Sequence, residues 1–267
     1  MLYDTYVHTK LYKITAVGIS DLGLVRQNNE DSWAELPKYN FYVLADGMGG
    51  HQAGEVASKE AVSRLCKDIS KVLDDVDEEY SLDEIRHLVL DTIEDVNRQV
   101  FQMGRKDPDL RGMGTTLCCM LFHPKGVIYA HVGDSRIYRY RNHKLQQLTK
   151  DHSLVRELLE MGQLNERQAG EFAYRNIITK AIGTEANVLP SARVSDLRNG
   201  DLYLMCTDGL SDSVSIHEME TLINNHTNLS ELAVALVNTA KEKGGFDNIT
   251  LVLAGVNKHE KRKNLSR

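Results

Sequence analysis

Proline is scarce in this sequence, four residues in 267, and its 19 glycines follow no short period, which excludes collagen-like and low-complexity chains. The four cysteines, Cys66, Cys118, Cys119 and Cys206, show no C-x-x-C spacing, so neither a disulfide framework nor a cysteine zinc site is expected. Cys118 and Cys119, adjacent in a strand-type run, must point to opposite faces. No apolar run approaches the ~18 residues of a membrane helix, and the N-terminus lacks a basic stretch followed by an apolar one. A reduced, cytosolic protein without a membrane span is the expectation. Positive charge is in deficit too: the formal net charge is −6, which disfavours a nucleic-acid binder that works by neutralising phosphates. None of the ten histidines forms H-x-x-x-H or H-E-x-x-H, and there is no Walker P-loop, helix-opening G-x-G-x-x-G or G-x-S-x-G elbow. Zinc-protease, P-loop nucleotide and serine-hydrolase chemistry are therefore disfavoured.

What is present is ample apolar material, 42% hydrophobic against 26% charged residues, enough for a sizeable core. No Pro/Gly/Ser-rich linker or fixed-period repeat divides it. A single domain over residues 12–256 is expected, with an N-terminal extension, residues 1–11, and a basic C-terminal tail, residues 257–267. The tail carries Lys258, Lys261, Arg262, Lys263 and Arg267 against Glu260 alone; it reads as solvated, with docking to an acidic partner as the alternative. β-Type runs recur at Thr15–Ser20, Ser32–Leu36, Phe41–Ala45, Thr115–Phe122, Val127–Val132, Arg136–Arg141, Leu202–Cys206 and Ile249–Val256. Gly133-Asp134 and Arg141-Asn142-His143-Lys144 read as hairpin connections. Helical spacing appears in separate blocks, Val62 to Val76, Ile85 to Val100 behind a Ser81-x-x-Glu84 capping box, and Leu229 to Ala240. Grouped strands with long paired helices indicate an α+β fold in layers.

Aspartates sit at the ends of these runs. Asp46 follows Phe41-Tyr-Val-Leu-Ala, Asp134 follows Ile128-Tyr-Ala-His-Val-Gly, and Asp208 follows Leu202-Tyr-Leu-Met-Cys-Thr. One such aspartate is ordinarily a turn former or cap; three with one pattern suggest a shared task. Asp46 and Asp208 are each followed by glycine, whose missing side chain lets carbonyls and water reach an ion. Asn29-Glu30-Asp31 and Asp247-Asn248, the latter just before a strand, add to the set. Clustered carboxylates repel unless neutralised, and hard oxygen donors select Mg²⁺ or Mn²⁺. A calcium loop of the D-x-D-x-D-G type is absent. Two carboxylate-bound ions can activate a water and hold phosphate oxygens for in-line attack. Arg26, four residues before Glu30, could then offer its guanidinium fork to a phosphate; otherwise it is a surface arginine.

In order along the chain, Gly23-Leu-Val-Arg-Gln-Asn-Asn-Glu-Asp31, Val43-Leu-Ala-Asp-Gly-Met-Gly-Gly-His51 with Ala53-Gly-Glu55, Gly114-Thr-Thr-Leu117, His131-Val-Gly-Asp-Ser-Arg136, Leu148-Thr-Lys-Asp-His-Ser153, Ile178-Thr-Lys-Ala-Ile-Gly183, Cys206-Thr-Asp-Gly-Leu-Ser-Asp212 and Gly245-Phe-Asp-Asn-Ile-Thr250 resemble the metal-dependent serine/threonine protein phosphatases of the PPM (type 2C) family in their compact bacterial form. The resemblance implies a four-layer α-β-β-α sandwich, two antiparallel sheets flanked by helix pairs, with the site in a cleft at one end. It implies hydrolysis of phosphoserine and phosphothreonine by direct attack of a metal-bridging water, without a phosphoenzyme. Two Mg²⁺ or Mn²⁺ ions would be held by Asp46, the Gly47 carbonyl, Asp208 and Asp247, and a third, weaker one by Asp134 with Asp208. Glu30 and Asp31 would hold metal-bound waters, with Asp212 and Asn248 supporting the site, and Arg26 would receive the phosphate. His51 would either protonate the leaving oxygen or order its own loop, a metal-bound water being the other proton source.

Residues 151–176 would form the flap beside the cleft, a segment that varies in the family and is linked to substrate choice, with Asp151 capping its first helix. The partners implied are phosphoproteins and a cognate bacterial Ser/Thr kinase, and the state expected is a monomer. A catalytically silent member of the fold is the alternative; such chains tend to lose metal carboxylates, and here Asp46, Asp208 and Asp247 are all retained.

Overall fold

Residues 12–258, apart from 50–52, 78, 171, 173 and 175, are described by a computed structural model. The N-terminal extension, His51 and residues 259–267 of the basic tail thus lie outside the described residues.

Every long strand of the chain is apolar on both faces, and the two faces go to different partners. In β3 (Phe41–Met48), Phe41, Val43 and Ala45 face a core made with helices, while Tyr42 and Leu44 face a core between sheets. In β5 (Leu117–His123), Cys119 takes the first side and Cys118 the second, as their adjacency in a strand requires. The same division recurs in β10 (Leu202–Cys206) and β11 (Ile249–Lys258). A sheet buried on both faces must lie inside a stack of layers.

One sheet has the order β1 (Tyr12–Asp21), β11, β10, β7 (Arg136–Arg141), β8 (Lys144–Gln147). The other runs β2 (Asp31–Leu36), β3, β5, β6 (Gly126–Val132), β9 (Ser191–Ser195), with the short β4 (Gly114–Thr115) added on β3. All pairings are antiparallel. Helices α1 (Ala53–Asp74) and α2 (Leu82–Lys106) cover the second sheet. Helices α6 (Ile216–Asn225) and α7 (Leu229–Glu242) cover the first. The expected α-β-β-α sandwich is what forms. No helix among the described residues is long and apolar enough to cross a membrane.

The Ser81–Glu84 box caps α2, with Ser81 Oγ accepting from the Glu84 N–H and the Glu84 carboxylate from the Ser81 N–H. The turn at Asn142 and His143, both with φ near +50 to +60°, joins β7 to β8 as a tight hairpin, as the sequence predicts.

Three expectations need correction. Gly133-Asp134 does not close a hairpin, because β6 pairs with β5 and β9 while β7 pairs with β10 and β8. The turn instead carries the chain from one sheet to the other, with Gly133 at φ +98 packed on Thr116. The run Thr115–Phe122 is broken at Thr116 into β4 and β5. In the flap, which contains α3 (Leu154–Glu160) and α4 (Glu166–Gly170), the residue at the N-cap of α3 is Ser153. Asp151 is drawn away by Arg136, whose Nε and Nη2 donate to its carboxylate at 2.9 and 2.7 Å, a stronger charge-assisted pairing than a cap.

Candidate metal centre

The two sheets end together, and five chain segments meet there. Across the β2–β3 ladder Asp31 stands opposite Asp46. Asp208 opens the single turn of α5 (Asp208–Ser211) directly after β10, and Asp212 closes it by donating its N–H to the Asp208 carbonyl at 2.8 Å. Asp134 lies in the sheet-to-sheet crossing, and Asp247 in the turn before β11.

Backbone hydrogen bonds lock these segments. The Asp46 N–H donates to Thr116 Oγ1 at 3.0 Å, and its carbonyl accepts from the Thr116 N–H and Thr115 Oγ1. Gly47 donates to the Glu30 carbonyl at 3.1 Å. A Cβ on Gly47 would collide with the Gly54 carbonyl, and one on Gly54 with the Glu30 carboxylate, so both positions require glycine. Asn248, almost fully buried, accepts from the Glu30 N–H at 2.8 Å and donates to the Leu22 and Asn28 carbonyls, each at 3.0 Å. It clamps the loop that presents Arg26 and Glu30.

The charges are only partly compensated. Burial, and then Asp31, Asp208, Asp134 and Asp247, push the Asp46 carboxyl well above the ordinary range. Burial raises Asp31 to about 7, against the pull of hydrogen bonds from Thr250 and Thr207; Asp208 and Asp247 add to the rise. Asp134 is raised to about 7 by burial and then by Asp208 and Asp151. Burial followed by Asp247 and Asp212 lifts Asp208 to about 6, against the pull of Asp46 and Arg136. Glu30 is raised by burial against the pull of Arg26. The Arg26 Nη2 donates to Asp247 Oδ2 at 2.7 Å, both side chains remaining partly exposed.

Beside this end lies a cavity of about 540 Å³, with Asp134, Asp208 and Asp212 at one side and the flap residues Arg156, Leu159 and Asn176 at the other. The flap is pinned at its root by two stacked imidazoles, His131 and His152, 4.5 Å apart. His131 Nε2 donates to the Lys150 carbonyl at 2.7 Å, while His152 Nδ1 accepts from the Gly133 N–H and its Nε2 donates to Ser191 Oγ. Burial holds both rings neutral and brings His152 down to about 3.

The family description "Protein phosphatase 2C" matches residues 24–252. The chain belongs to the protein phosphatase 2C family. It is 38% identical over 237 residues, 88% of this chain and 92% of the relative, to the serine/threonine phosphatase stp of Listeria monocytogenes. Among solved structures, the Streptococcus agalactiae serine/threonine phosphatase superposes with a TM-score of 0.83 at 36% identity, covering 91% of this chain and 99% of that one. The catalytic domain of the serine/threonine phosphatase PstP, in complex with two manganese ions, gives 0.78 at 34% identity, with 92% and 99% covered.

In this protein phosphatase 2C chain the donors suit a divalent ion by type. Asp46, Asp208 and Asp31 offer carboxylate oxygens crowded together without an ion-pair partner among the described residues, the demand a hard metal ion satisfies. They are brought near one another without closing: among the described residues no three His, Cys, Asp or Glu side chains already form a finished ligand group, and Asp247 is held by Arg26. The sequence-expected residues Arg26, Glu30, Asp31, Asp46, Gly47, Asp134, Asp208, Asp212, Asp247 and Asn248 all belong to the segments that meet here. Threonines complete the site and were assigned no role from sequence. Thr115 and Thr116 hold Asp46, and Thr207 donates to Asp31 Oδ2 at 3.0 Å while accepting from the Thr250 N–H. The Gly114-Thr-Thr motif carried part of that signal. Thr207 and Thr250 likewise stand inside matching segments, Cys206-Thr-Asp-Gly and Asp-Asn-Ile-Thr250, without a role of their own there.

Proposed function

We propose that this phosphatase hydrolyses phosphoserine and phosphothreonine esters in proteins at the carboxylate end of the sandwich, using Mg²⁺ or Mn²⁺. The observation that carries the reading is the crowding of Asp31, Asp46 and Asp208 at the ends of both sheets, each carboxyl raised by burial and by its neighbours. Asp46, Asp208, Asp247 and the Gly47 carbonyl would hold two ions, and Asp134 with Asp208 would hold a third, weaker one. Divalent ions bound there supply a water acidified toward neutrality and positive charge against the phosphate oxygens.

The chain's own groups do the rest. Asp31, oriented by Thr207, and Glu30, seated against Gly54, accept hydrogen bonds from water at the site and fix its orientation. Arg26, already placed beside Asp247, offers its fork to the phosphate and holds it in line. Asn248 and Asp212 keep the two presenting turns in place. The proton for the departing serine or threonine oxygen would come from His51, which lies outside the described residues, or from water at the site. The phosphatase unit is taken to span residues 12–256. Its partners are taken to be phosphoproteins and an opposing bacterial Ser/Thr kinase, and it is read as a cytoplasmic monomer, which its four free cysteines suit.

The test is turnover of phosphoserine and phosphothreonine peptides with Mn²⁺, repeated with EDTA and with Asp208→Ala. Both changes should abolish it. Metal-independent turnover that survives them sinks the mechanism, and a chain inert under every metal condition sinks the enzymatic reading.

A further inference from the structure

The 540 Å³ cavity at the carboxylate end does not stop at the flap. A second cavity of about 280 Å³ shares five wall residues with it, Leu148, Lys150, Asp151, Arg156 and Arg193, and continues to Lys180 and Ser191. The two form one trough leading away from Asp134 and Asp208, between α3 and the edge strand β9.

The charge along this trough changes sign. Its near end is carboxylate. Farther out, Asp151 is taken by Arg136, and the single Glu160 carboxylate serves both Lys150 and Arg156, at 3.0 and 3.1 Å. Arg193 and Lys180 have no carboxylate partner among the described residues; Lys180 reaches the Leu189 carbonyl at 3.5 Å. Arg193 stands on β9 in register with Tyr129 and lines both cavities. The stacked His131 and His152 add no positive charge at neutral pH, since burial keeps both uncharged. Glu157 on α3 is the opposing wall charge, and it has no cation partner among the described residues.

We propose that this trough binds the substrate segment flanking the phosphorylated residue and selects for an anionic side chain there, with Arg193 and Lys180 as the specificity-determining cations. A phosphate bound at the carboxylate end and a side chain held in the outer cavity are joined by extended peptide at about 3.3 Å per residue. The anion recognised is therefore on the same peptide, a glutamate, an aspartate or a second phosphate. Half-exposed pairs of this kind act mainly on selectivity and capture, and salt screens them. The proposal rests on the phosphatase reading and is tested separately from it.

The experiment compares Mn²⁺-dependent turnover of a neutral phosphoserine peptide with variants carrying one glutamate, or one second phosphoserine, at each of the four positions on either side. The parent protein, Arg193→Gln/Lys180→Gln and Glu157→Gln are measured in parallel, each also with p-nitrophenyl phosphate. The parent should favour glutamate on one side of the phosphoserine by about fivefold in kcat/KM, the size of one partly exposed charge pair, and more for a second phosphate. The preference should fall in high salt, vanish in the double variant and grow in Glu157→Gln, with p-nitrophenyl phosphate turnover unchanged throughout. A parent without preference, or a double variant that keeps it, overturns the proposal. Loss of p-nitrophenyl phosphate turnover in the parent bears instead on the phosphatase reading; the same peptides are then compared by fluorescence anisotropy, where equal binding overturns the trough.

Discussion

Strand β10 has an aspartate beyond each end, and the two live in opposite electrostatic worlds. Asp201, before the strand, is 1% exposed yet receives Nε and Nη2 of Arg141, each at 2.7 Å, with the Arg198 N–H at 2.8 Å. The same arginine joins Asp196, whose carboxyl the Arg141 and Arg198 hydrogen bonds bring down to about 2. Asp208, just after the strand, faces Asp46, Asp247 and Asp212 and is raised to about 6. One end carries its counter-charges in the chain. The other leaves them to be supplied from outside, and a fold keeps such a cluster only when something else uses it.

The largest contrast is between function and stability. Asp208→Asn should cut Mn²⁺-dependent turnover by about 10³ or more, while the chelated protein melts no lower than the parent, because the substitution relieves repulsion. If it melted far lower, this end would be structural like the other. Asp201→Ala should do the reverse. It removes one of the two carboxylates that Arg141 joins and leaves the Arg198 N–H without its acceptor, costs about 2–3 kcal/mol and lowers the melting temperature by about 7 °C, with kcat/KM of the surviving folded enzyme near normal.

The two ends should also answer pH in opposite directions. In the chelated protein Asp31 and Asp208 titrate at about 7 and about 6 when folded, against about 4 unfolded. The folded state binds these protons more tightly, so their contribution is full below pH 4 and is lost as pH rises through 6 and 7. Asp196, lowered to about 2, contributes above pH 4 and loses that contribution as pH falls toward 2. The chelated protein should therefore melt highest near pH 4 to 5 and decline toward neutrality, and Mn²⁺ should remove the decline. Equal melting at pH 5 and pH 7 without metal would contradict this assignment. The smallest effect expected is for Thr116→Val, which leaves the Asp46 N–H without its acceptor. It should cost about 1–2 kcal/mol and slow turnover by displacing Asp46, the two losses being read by thermal melting and steady-state kinetics.

The aspartates at strand ends were legible because apolar runs of fixed length pointed at them. What separates Asp201 from Asp208 was not, since the deciding arginine lies about 60 residues away in sequence. The long strands were legible as strands, but apolar residues on both faces hide which sheet a strand joins, which is why the Gly133-Asp134 turn reads as a hairpin. β8 was legible only through the hairpin turn before it, and β9 left almost no trace: Lys144-Leu-Gln-Gln and Ser191-Ala-Arg-Val-Ser are short, polar sheet edges, where solvent relaxes the demand for alternating apolar residues. The order of the motifs pointed to the site, and the roles of the threonines that those motifs contain emerged only from their hydrogen bonds.

The pairing of β1 with β11, which matches Tyr12 to Lys258, sets a timetable for the polypeptide. The first strand cannot find its neighbour until nearly 250 residues have followed it, and β11 also carries the segment that positions Asp247 and Asn248. Such non-local closure is slow and comes late in folding. Asp46 emerges early from the ribosome, and its partner carboxylates Asp208 and Asp247 come last. A nascent or truncated chain therefore holds only part of the carboxylate cluster, which is complete only when the final strand seats.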